Sequence, residues 1–207
     1  MFINNKIEIF LFVNPLGTSC YGTEKLIEEF SNERDEKVSI RFIPILNFRT
    51  IGNILTDKVK STLSNRNEFY TASYHTSIAF QAASMQGKKK GRQFLIALQS
   101  KLLNDNQTVS DDLFFEVADQ VRLDREMFEE DLRSDFSKKA FKKDQQLALD
   151  MGVEDAPSCI LYAGTDSEYG YRINTSITKQ LLHGLCDDQA VVQEKFQAKH
   201  LSLLQMV

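Results

Sequence analysis

The spacing of apolar and polar positions predicts a strand, a helix and a second strand in the first part of the chain. Positions 6–13 are mostly apolar and end at the turn signal Asn14-Pro15, which is typical of a buried strand. Apolar residues recur at helical spacing over 23–30, and 38–46 alternates before it becomes apolar throughout. A strand, a helix and a strand over about forty residues form a βαβ unit, so we expect parallel strands.

The middle of the chain is predicted to be helical. Residues 68–151 contain no proline and almost none of the alternation that strands show. Ser110 and Asp124 are good N-caps, because each precedes a segment of apolar residues at helical spacing. Leu123 and Phe128 are placed as a hydrophobic staple around the second cap, and Gly152 fits a helix stop.

Strand character returns after residue 156. Positions 157–162 and 169–174 are predicted to pair as a hairpin around a turn at 164–168. Thr175 or Ser176 would cap the next helix, and a last amphipathic segment runs over 188–204. The order βαβ, helices, ββα predicts an α/β thioredoxin fold interrupted by a helical domain.

Composition and charge exclude several classes of protein. The 207 residues are 42% hydrophobic and 26% charged, which excludes a disordered or collagen-like chain and fits one large or two small domains. A formal net charge of -4 gives no electrostatic reason to expect a nucleic acid or an anionic membrane as partner.

Targeting and metal signals are also missing from the sequence. Glu8 interrupts the first apolar run, which is far shorter than the roughly 18 residues that span a bilayer, so we expect no signal peptide and a cytoplasmic protein. Three cysteines are too few for a disulfide framework and fit a reducing compartment. The three histidines are scattered, and no P-loop or dinucleotide-binding motif occurs, so we predict no metal and no cofactor.

Three features together resemble a known family. The run Phe-Val-Asn-Pro-Leu-Gly-Thr-Ser-Cys-Tyr at 12–21 opens a helix with a cysteine in its first turn, a helical block follows the second strand, and Gly-Val-Glu-Asp-Ala-Pro at 152–157 precedes the third strand. Over nearly the whole chain this resembles the thioredoxin-like proteins of the DsbA type, and within them the cytoplasmic YjbH/SpxH branch. The resemblance implies a DsbA-type fold with thioredoxin-like parts at 1–50 and 152–207 and an all-helical insertion at 51–151.

The sequence departs from that branch at the positions that carry redox chemistry. The usual run is Asp-Pro-Leu-Cys-Pro-x-Cys-Trp, and Gly17 stands where the first, nucleophilic cysteine is expected. Cys20 stands at the second, resolving position, while Asn14 and Tyr21 replace the usual Asp and Trp. Ala156 takes the place of the threonine in the common Gly-Val-x-Gly-Thr-Pro.

A dithiol oxidoreductase is therefore not expected. Exchange by a Cys-x-x-Cys pair needs a first thiolate, stabilised at the helix N-terminus, and a second thiol that releases the product. Glycine is an acceptable N-cap, so Gly17 preserves the local structure but removes the nucleophile. Cys20, near position N3 of the helix and turned inward, remains as the candidate catalytic residue.

Two alternatives stay open at this turn. Thr18 and Ser19 offer hydroxyls where kappa-class glutathione transferases, which share the architecture, use a serine to polarise the sulfur of glutathione; both could instead simply cap the helix. Cys20 could pair with Cys159 in a disulfide, or both could be small buried hydrophobic residues.

Pro157 marks the expected binding surface. Thioredoxin-like proteins keep a cis-proline beside this turn, and the resemblance implies the same here; the alternative is a plain proline that opens a strand. A cis bond would leave the backbone of Ala156 free to pair with an extended peptide. The residues predicted to bind a peptide or partner are Asn14, Pro15, Gly17, Thr18, Ser19, Tyr21, Ala156 and Pro157.

The resemblance implies a binding or adaptor function. Members of the YjbH/SpxH branch act as adaptors that bring the stress regulator Spx to the protease ClpXP, so a Spx-like protein and ClpXP are the expected partners. The alternative is an enzyme, either a thiol-disulfide oxidoreductase or isomerase or a protein that handles glutathione.

Overall fold

A computed structural model describes residues 6–56, 63–163, 170–173, 177–187 and 204–206. Its elements, in chain order, are β1 (Ile7–Val13), α1 (Thr18–Glu33), β2 (Val38–Pro44), α2 (Phe48–Thr56), α3 (Leu63–Met85), α4 (Lys88–Leu103), α5 (Asp111–Gln120), α6 (Arg125–Arg133), α7 (Asp135–Asp150), β3 (Ser158–Ala163), β4 (Tyr171–Ile173), α8 (Lys179–Asp187) and β5 (Leu204–Met206).

The strands form one mixed sheet in the order β2-β1-β3-β4-β5. β1 pairs with β2 in parallel, with Ile7 opposite Val38, and this confirms the predicted βαβ unit. β3 runs antiparallel to both β1 and β4, which confirms the hairpin, although its turn at 164–168 lies outside the described residues.

Both faces of the sheet are covered. The odd-numbered residues of β1 pack against Ile27 and Phe30 of α1 and Leu182 of α8, which all lie in one buried cluster. Phe12 faces the other way and packs with Ile43, Ile160 and residues of α7 and its C-terminal turn. A strand that is buried on both faces is apolar at successive positions, as β1 is over residues 9–13.

Helices α3 to α6 enclose a core of their own. Phe94, Phe114 and Phe128 are fully buried there, among smaller residues of α3 such as Ala79 and Ala83. This block lies between β2 and β3 along the chain, and the chain therefore has a thioredoxin-like fold of the DsbA type with inserted helices. The division at 51–151 stays a prediction.

The predicted helix caps are mostly confirmed. The side chain of Ser110 accepts from the backbone N–H of Leu113, and that of Asp124 accepts from Met127. Leu123 and Phe128 lie in the same cluster, and Gly152 has a φ of 64°, the left-handed conformation that ends α7.

The predicted cap of α8 and the segment predicted after it lie mostly outside the described residues. Thr175 and Ser176 lie outside the described residues, and the hydroxyl of Thr178 accepts from the N–H of Leu181 at 3.2 Å. Of the amphipathic segment predicted at 188–204, only Leu204 is described, and it begins β5, which the sequence did not predict. Among the described helices, none is long and apolar enough to cross a membrane.

Candidate functional site

The turn after β1 positions the start of α1. The N–H of Gly17 donates to the backbone oxygen of Asn14 at 3.0 Å, and Oδ1 of Asn14 accepts from the N–H of Leu16 at 3.0 Å. Gly17 is the N-cap of α1 and accepts from the N–H of Tyr21 at 3.0 Å. Asn14 therefore closes the turn with both its backbone and its side chain.

Cys20 lies at the third position of α1 and faces the core. Its Sγ accepts from the backbone N–H of Asn14 at 3.2 Å, and only 1% of the residue is exposed. Burial, with a smaller contribution from the neighbouring carboxyl of Glu24, raises the pKa of the thiol to about 12. At neutral pH the sulfur is thus held as an unreactive thiol.

Gly17 keeps the geometry of a dithiol site without its nucleophile. A Cβ at this position would lie 3.0 Å from Sγ of Cys20. An S–S bond of about 2.05 Å places the Cβ of one cysteine about 3 Å from the sulfur of the other. The φ and ψ of Gly17, −85° and 121°, are open to any residue.

The proline at the start of β3 lies at the same end of the sheet. The Ala156–Pro157 peptide bond is cis, as the resemblance implied. Ser158, directly after Pro157, pairs with Phe12 of β1, two residues before Asn14. The antiparallel register therefore brings the cis-proline beside the turn.

The predicted partner-binding residues differ in accessibility. The exposed ones are Thr18 and Ser19, and the half-buried ones are Tyr21, Ala156 and Pro157. The buried ones are Asn14, Pro15 and Gly17, so they shape the turn from within. Their role in binding a partner stays a prediction.

Charged residues fix the loop that carries the proline, and the sequence did not point to them. Arg49 of α2 pairs with Glu154 at 2.9 Å and with Asp155 at 2.8 Å. Nδ2 of Asn47 donates to the backbone oxygen of Glu154 at 2.9 Å. These contacts hold residues 154 and 155 against α2, and only the fold brings the two segments together.

An exposed aromatic pair borders the turn. Phe48 is 82% exposed and stacks on Tyr70 of α3, with ring centroids 5.9 Å apart. One helical turn further, the hydroxyl of Ser73 donates to Oδ1 of Asn14 at 3.4 Å. We call Thr18, Ser19, Phe48, Tyr70 and Pro157 the turn face.

A buried carboxyl lies one helical turn below Cys20. Glu24 is fully buried, and its Oε1 accepts from Nε2 of Gln99 on α4 at 3.0 Å. Burial raises the pKa of Glu24 to about 8. Glu24 was not predicted as a site residue, although its spacing from Cys20 and Ile27 places all three on one face of the helix.

The cysteines are free thiols. Cys20 and Cys159 are both buried and unpaired, as the simpler of the two sequence interpretations had it, and Cys186 is half-buried and free. In the part of the chain that the structure describes, no three His, Cys, Asp or Glu side chains are grouped so that they could hold a metal ion.

Comparison with known sequences identifies relatives over most of the chain. A family model described as Thioredoxin matches residues 10–183. The ClpXP adapter protein SpxH of Bacillus subtilis (strain 168) is 25% identical over 185 residues, which cover 81% of this chain and 62% of that protein. The chain therefore matches less than two thirds of that relative's length.

Solved structures share the fold at low sequence identity. A proposed protein disulfide isomerase from Nitrosomonas europaea superposes with a TM-score of 0.65 at 13% identity, covering 94% of this chain and 99% of its own. Pseudomonas aeruginosa DsbA gives a TM-score of 0.56 at 15% identity over 93% of this chain and 85% of its own. At these identities the likeness shows the fold alone.

Proposed function

Because the chain belongs to the thioredoxin family whose model spans residues 10–183, we propose that it is a binding protein of the adaptor class that recognises its partner through the turn face. The fold supplies an exposed first turn of α1 and a cis-proline beside it. In thioredoxin-like folds an extended peptide can pair with backbone at such a strand start.

Gly17 is the observation that carries this proposal. The site keeps the turn, the helix and a buried sulfur 3.0 Å from where a Cβ would be, yet it has no nucleophile. Cys20 cannot take over that role, because it is buried and its thiol has a pKa of about 12. The site therefore keeps the surface of the turn and the helix start but not a pair of redox-active thiols.

The proposed partners are a Spx-like regulator and the ClpXP protease, in the cytoplasm. Support comes from the adapter protein SpxH of Bacillus subtilis, with which this chain shares 25% identity. The aligned part covers 62% of that protein, so this proposal concerns the thioredoxin-like part of such an adaptor.

Turnover of Spx tests the adaptor function. We expect purified chain to speed degradation of Spx by ClpXP several-fold in vitro, and the variant Ser19→Arg to lose that effect because a long cation would obstruct the turn face. Thr108→Arg introduces the same side chain at another exposed position and serves as the control. Unchanged Spx turnover with the unmodified chain would overturn the proposal.

Glutathione handling is the second candidate. The observation that favours it is the exposure of Thr18 and Ser19 in the first turn of α1, where helix N–H groups favour an anionic sulfur. Saturable binding of glutathione that is lost in Ser19→Ala would support an enzyme of that type. Insulin reduction by the unmodified chain that is lost in Cys20→Ser would support a thiol oxidoreductase instead.

A further inference from the structure

A cavity at the edge of the sheet lies away from the turn face. It has a volume of about 340 Å³ and is bounded by β2, α3, α4 and α7. Ser73, next to the turn, and Met85, at the cavity, are twelve residues apart on α3, or about 18 Å. The apolar part of its lining consists of Ile40, Phe42, Phe80, Met85 and Ala140.

The rim of this cavity carries an excess of positive charge. The carboxylate of Asp144 has its partners within the cavity wall. It forms an ion pair with Arg41 at 2.5 Å and accepts a hydrogen bond from Nε2 of Gln81 at 2.7 Å. Arg92 pairs with Glu28 and also donates to the backbone oxygen of Ile40 at 3.2 Å.

Two lysines of the rim have no acidic partner among the described residues. Lys88 and Lys143 line the cavity, are exposed, and form no ion pair with any described residue. In a protein of net charge -4, the mouth of this cavity is therefore a local site of positive potential.

The cavity borders β2, an edge strand of the sheet. Lys37 and Ile45 hydrogen-bond towards β1, so the residues of β2 with even numbers point their backbone groups outward. The outward carbonyl oxygens of Ile40 and Pro44 accept from the side chains of Arg92 and Gln145. Phe42, between them, lies in the cavity wall and is only 3% exposed, so its backbone offers no open edge for a further strand.

We propose that this cavity binds an extended acidic peptide segment of a protein partner. A large apolar side chain of the peptide would enter the cavity, and its carboxylates would lie against Lys88 and Lys143. Complementary charge favours an acidic peptide over a neutral or basic one. The proposal goes beyond the turn face and gives the molecule a second docking surface.

An NMR titration tests the proposal with a defined probe. The probe is acetyl-Glu-Asp-Leu-Asp-Glu-amide, added to the ¹⁵N-labelled chain at low ionic strength. We expect shifts of the amide signals of Phe42 and of residues near Lys88 and Lys143. Lys88→Glu together with Lys143→Glu should weaken binding at least tenfold.

A matched pair of substitutions provides the control. Lys89 and Lys142 are exposed neighbours that do not line the cavity, so replacing both with glutamate changes the net charge equally. We expect this control to weaken binding less than twofold, and a probe with glycine in place of leucine to bind at least tenfold more weakly.

Several results would overturn the proposal. One is a loss of affinity in the Lys89/Lys142 control that equals the loss in the Lys88/Lys143 variant. Another is a probe with lysine in place of its acidic residues that binds as tightly as the acidic probe. A third is binding of decanoate at Phe42 without binding of the peptide. Ser19→Arg should leave the peptide shifts unchanged, so failure at this cavity is distinguishable from failure at the turn face.

Discussion

At the scale of single residues, the missing side chain at position 17 decides the chemistry of the site. We predict that Gly17→Cys forms a disulfide with Cys20 on mild oxidation, because a Cβ there lies 3.0 Å from Sγ and the backbone tolerates any residue. Mass spectrometry of the oxidised variant should show a loss of about 2 Da, the mass of two hydrogens, and Cys20 should become protected from alkylation after unfolding.

Gly22 is the matched control for that experiment. It lies on the same helix, and a Cβ there has nothing within 4 Å. Gly22→Cys should therefore keep a free thiol that reacts quickly with maleimide. A Gly17→Cys variant whose two thiols both stay free after oxidation would contradict the geometry described for the turn.

The site residues show what a sequence reveals and what it leaves out. The places of Gly17 and Cys20 at a helix start and of Pro157 before a strand could be predicted because a local run marks each of them. Arg49 could not, because its partners Glu154 and Asp155 are about one hundred residues away and meet it only in the folded chain. A sequence pattern predicts contacts between residues that are close along the chain, but not pairs that only the fold brings together.

At the scale of elements, the contact between α1 and α4 depends on a proton. Nε2 of Gln99 donates a hydrogen bond to Oε1 of Glu24. The remaining side-chain oxygens, Oε2 of Glu24 and Oε1 of Gln99, are both buried without a hydrogen-bond partner. A protonated Glu24 supplies one O–H, which can donate to the amide oxygen of Gln99 and satisfy both. The pKa of about 8 means that this form dominates at neutral pH.

Stability should therefore fall as the pH rises from about 4.5 to about 8. Below the lower value Glu24 is protonated in both states, and between the two values the folded state holds the proton more tightly. Above pH 8 the carboxyl is ionised in both states and the slope disappears. The loss is on the order of a few kcal/mol.

Urea unfolding across this pH range measures the effect. Glu24→Gln should remove most of the slope, because its amide donates to Gln99 at every pH, while Glu126→Gln at an exposed position should leave the slope unchanged. The difference between the parent and Glu24→Gln isolates this carboxyl from the others. Equal slopes in all three proteins would contradict the assignment.

The elements themselves could be predicted where they are long and strongly patterned. The βαβ unit and the caps at Ser110 and Asp124 are confirmed. The nine-residue α2 was missed, although Asn47 and Thr50 cap it: Oδ1 of Asn47 accepts from the N–H of Thr50 at 2.7 Å. Its first residue, Phe48, faces solvent and obscures the apolar pattern.

At the scale of the whole molecule, α3 and α4 join the sheet to the helical block. Phe80 and Leu95 pack in the cluster beneath the sheet, while Ala83 and Phe94, on the same two helices, pack in the helical core. Helices shared in this way couple the two cores. We therefore expect the sheet and the helical block to unfold in one step, even though the helical block interrupts the thioredoxin-like part along the chain.

Phe128→Ala tests that coupling. Phe128 is fully buried, with its ring 5.2 Å from that of Phe94, so its loss should cost about 3–5 kcal/mol. Calorimetry should show one transition, shifted to lower temperature as a whole, while Met127→Ala at an exposed position changes little. Two transitions, of which only one moves, would show that the helical block unfolds independently.

The packing of Gly17 has a consequence for the history of such a chain. Some glycine codons become cysteine codons by one base change, the backbone at this position is open to any residue, and a Cβ there would lie at disulfide distance from Sγ of Cys20. A lineage in which Gly17 has such a codon is thus one point mutation from a pair of thiols. If the unpaired form persists among its descendants, purifying selection against thiol chemistry, rather than structural inaccessibility, would be what maintains it.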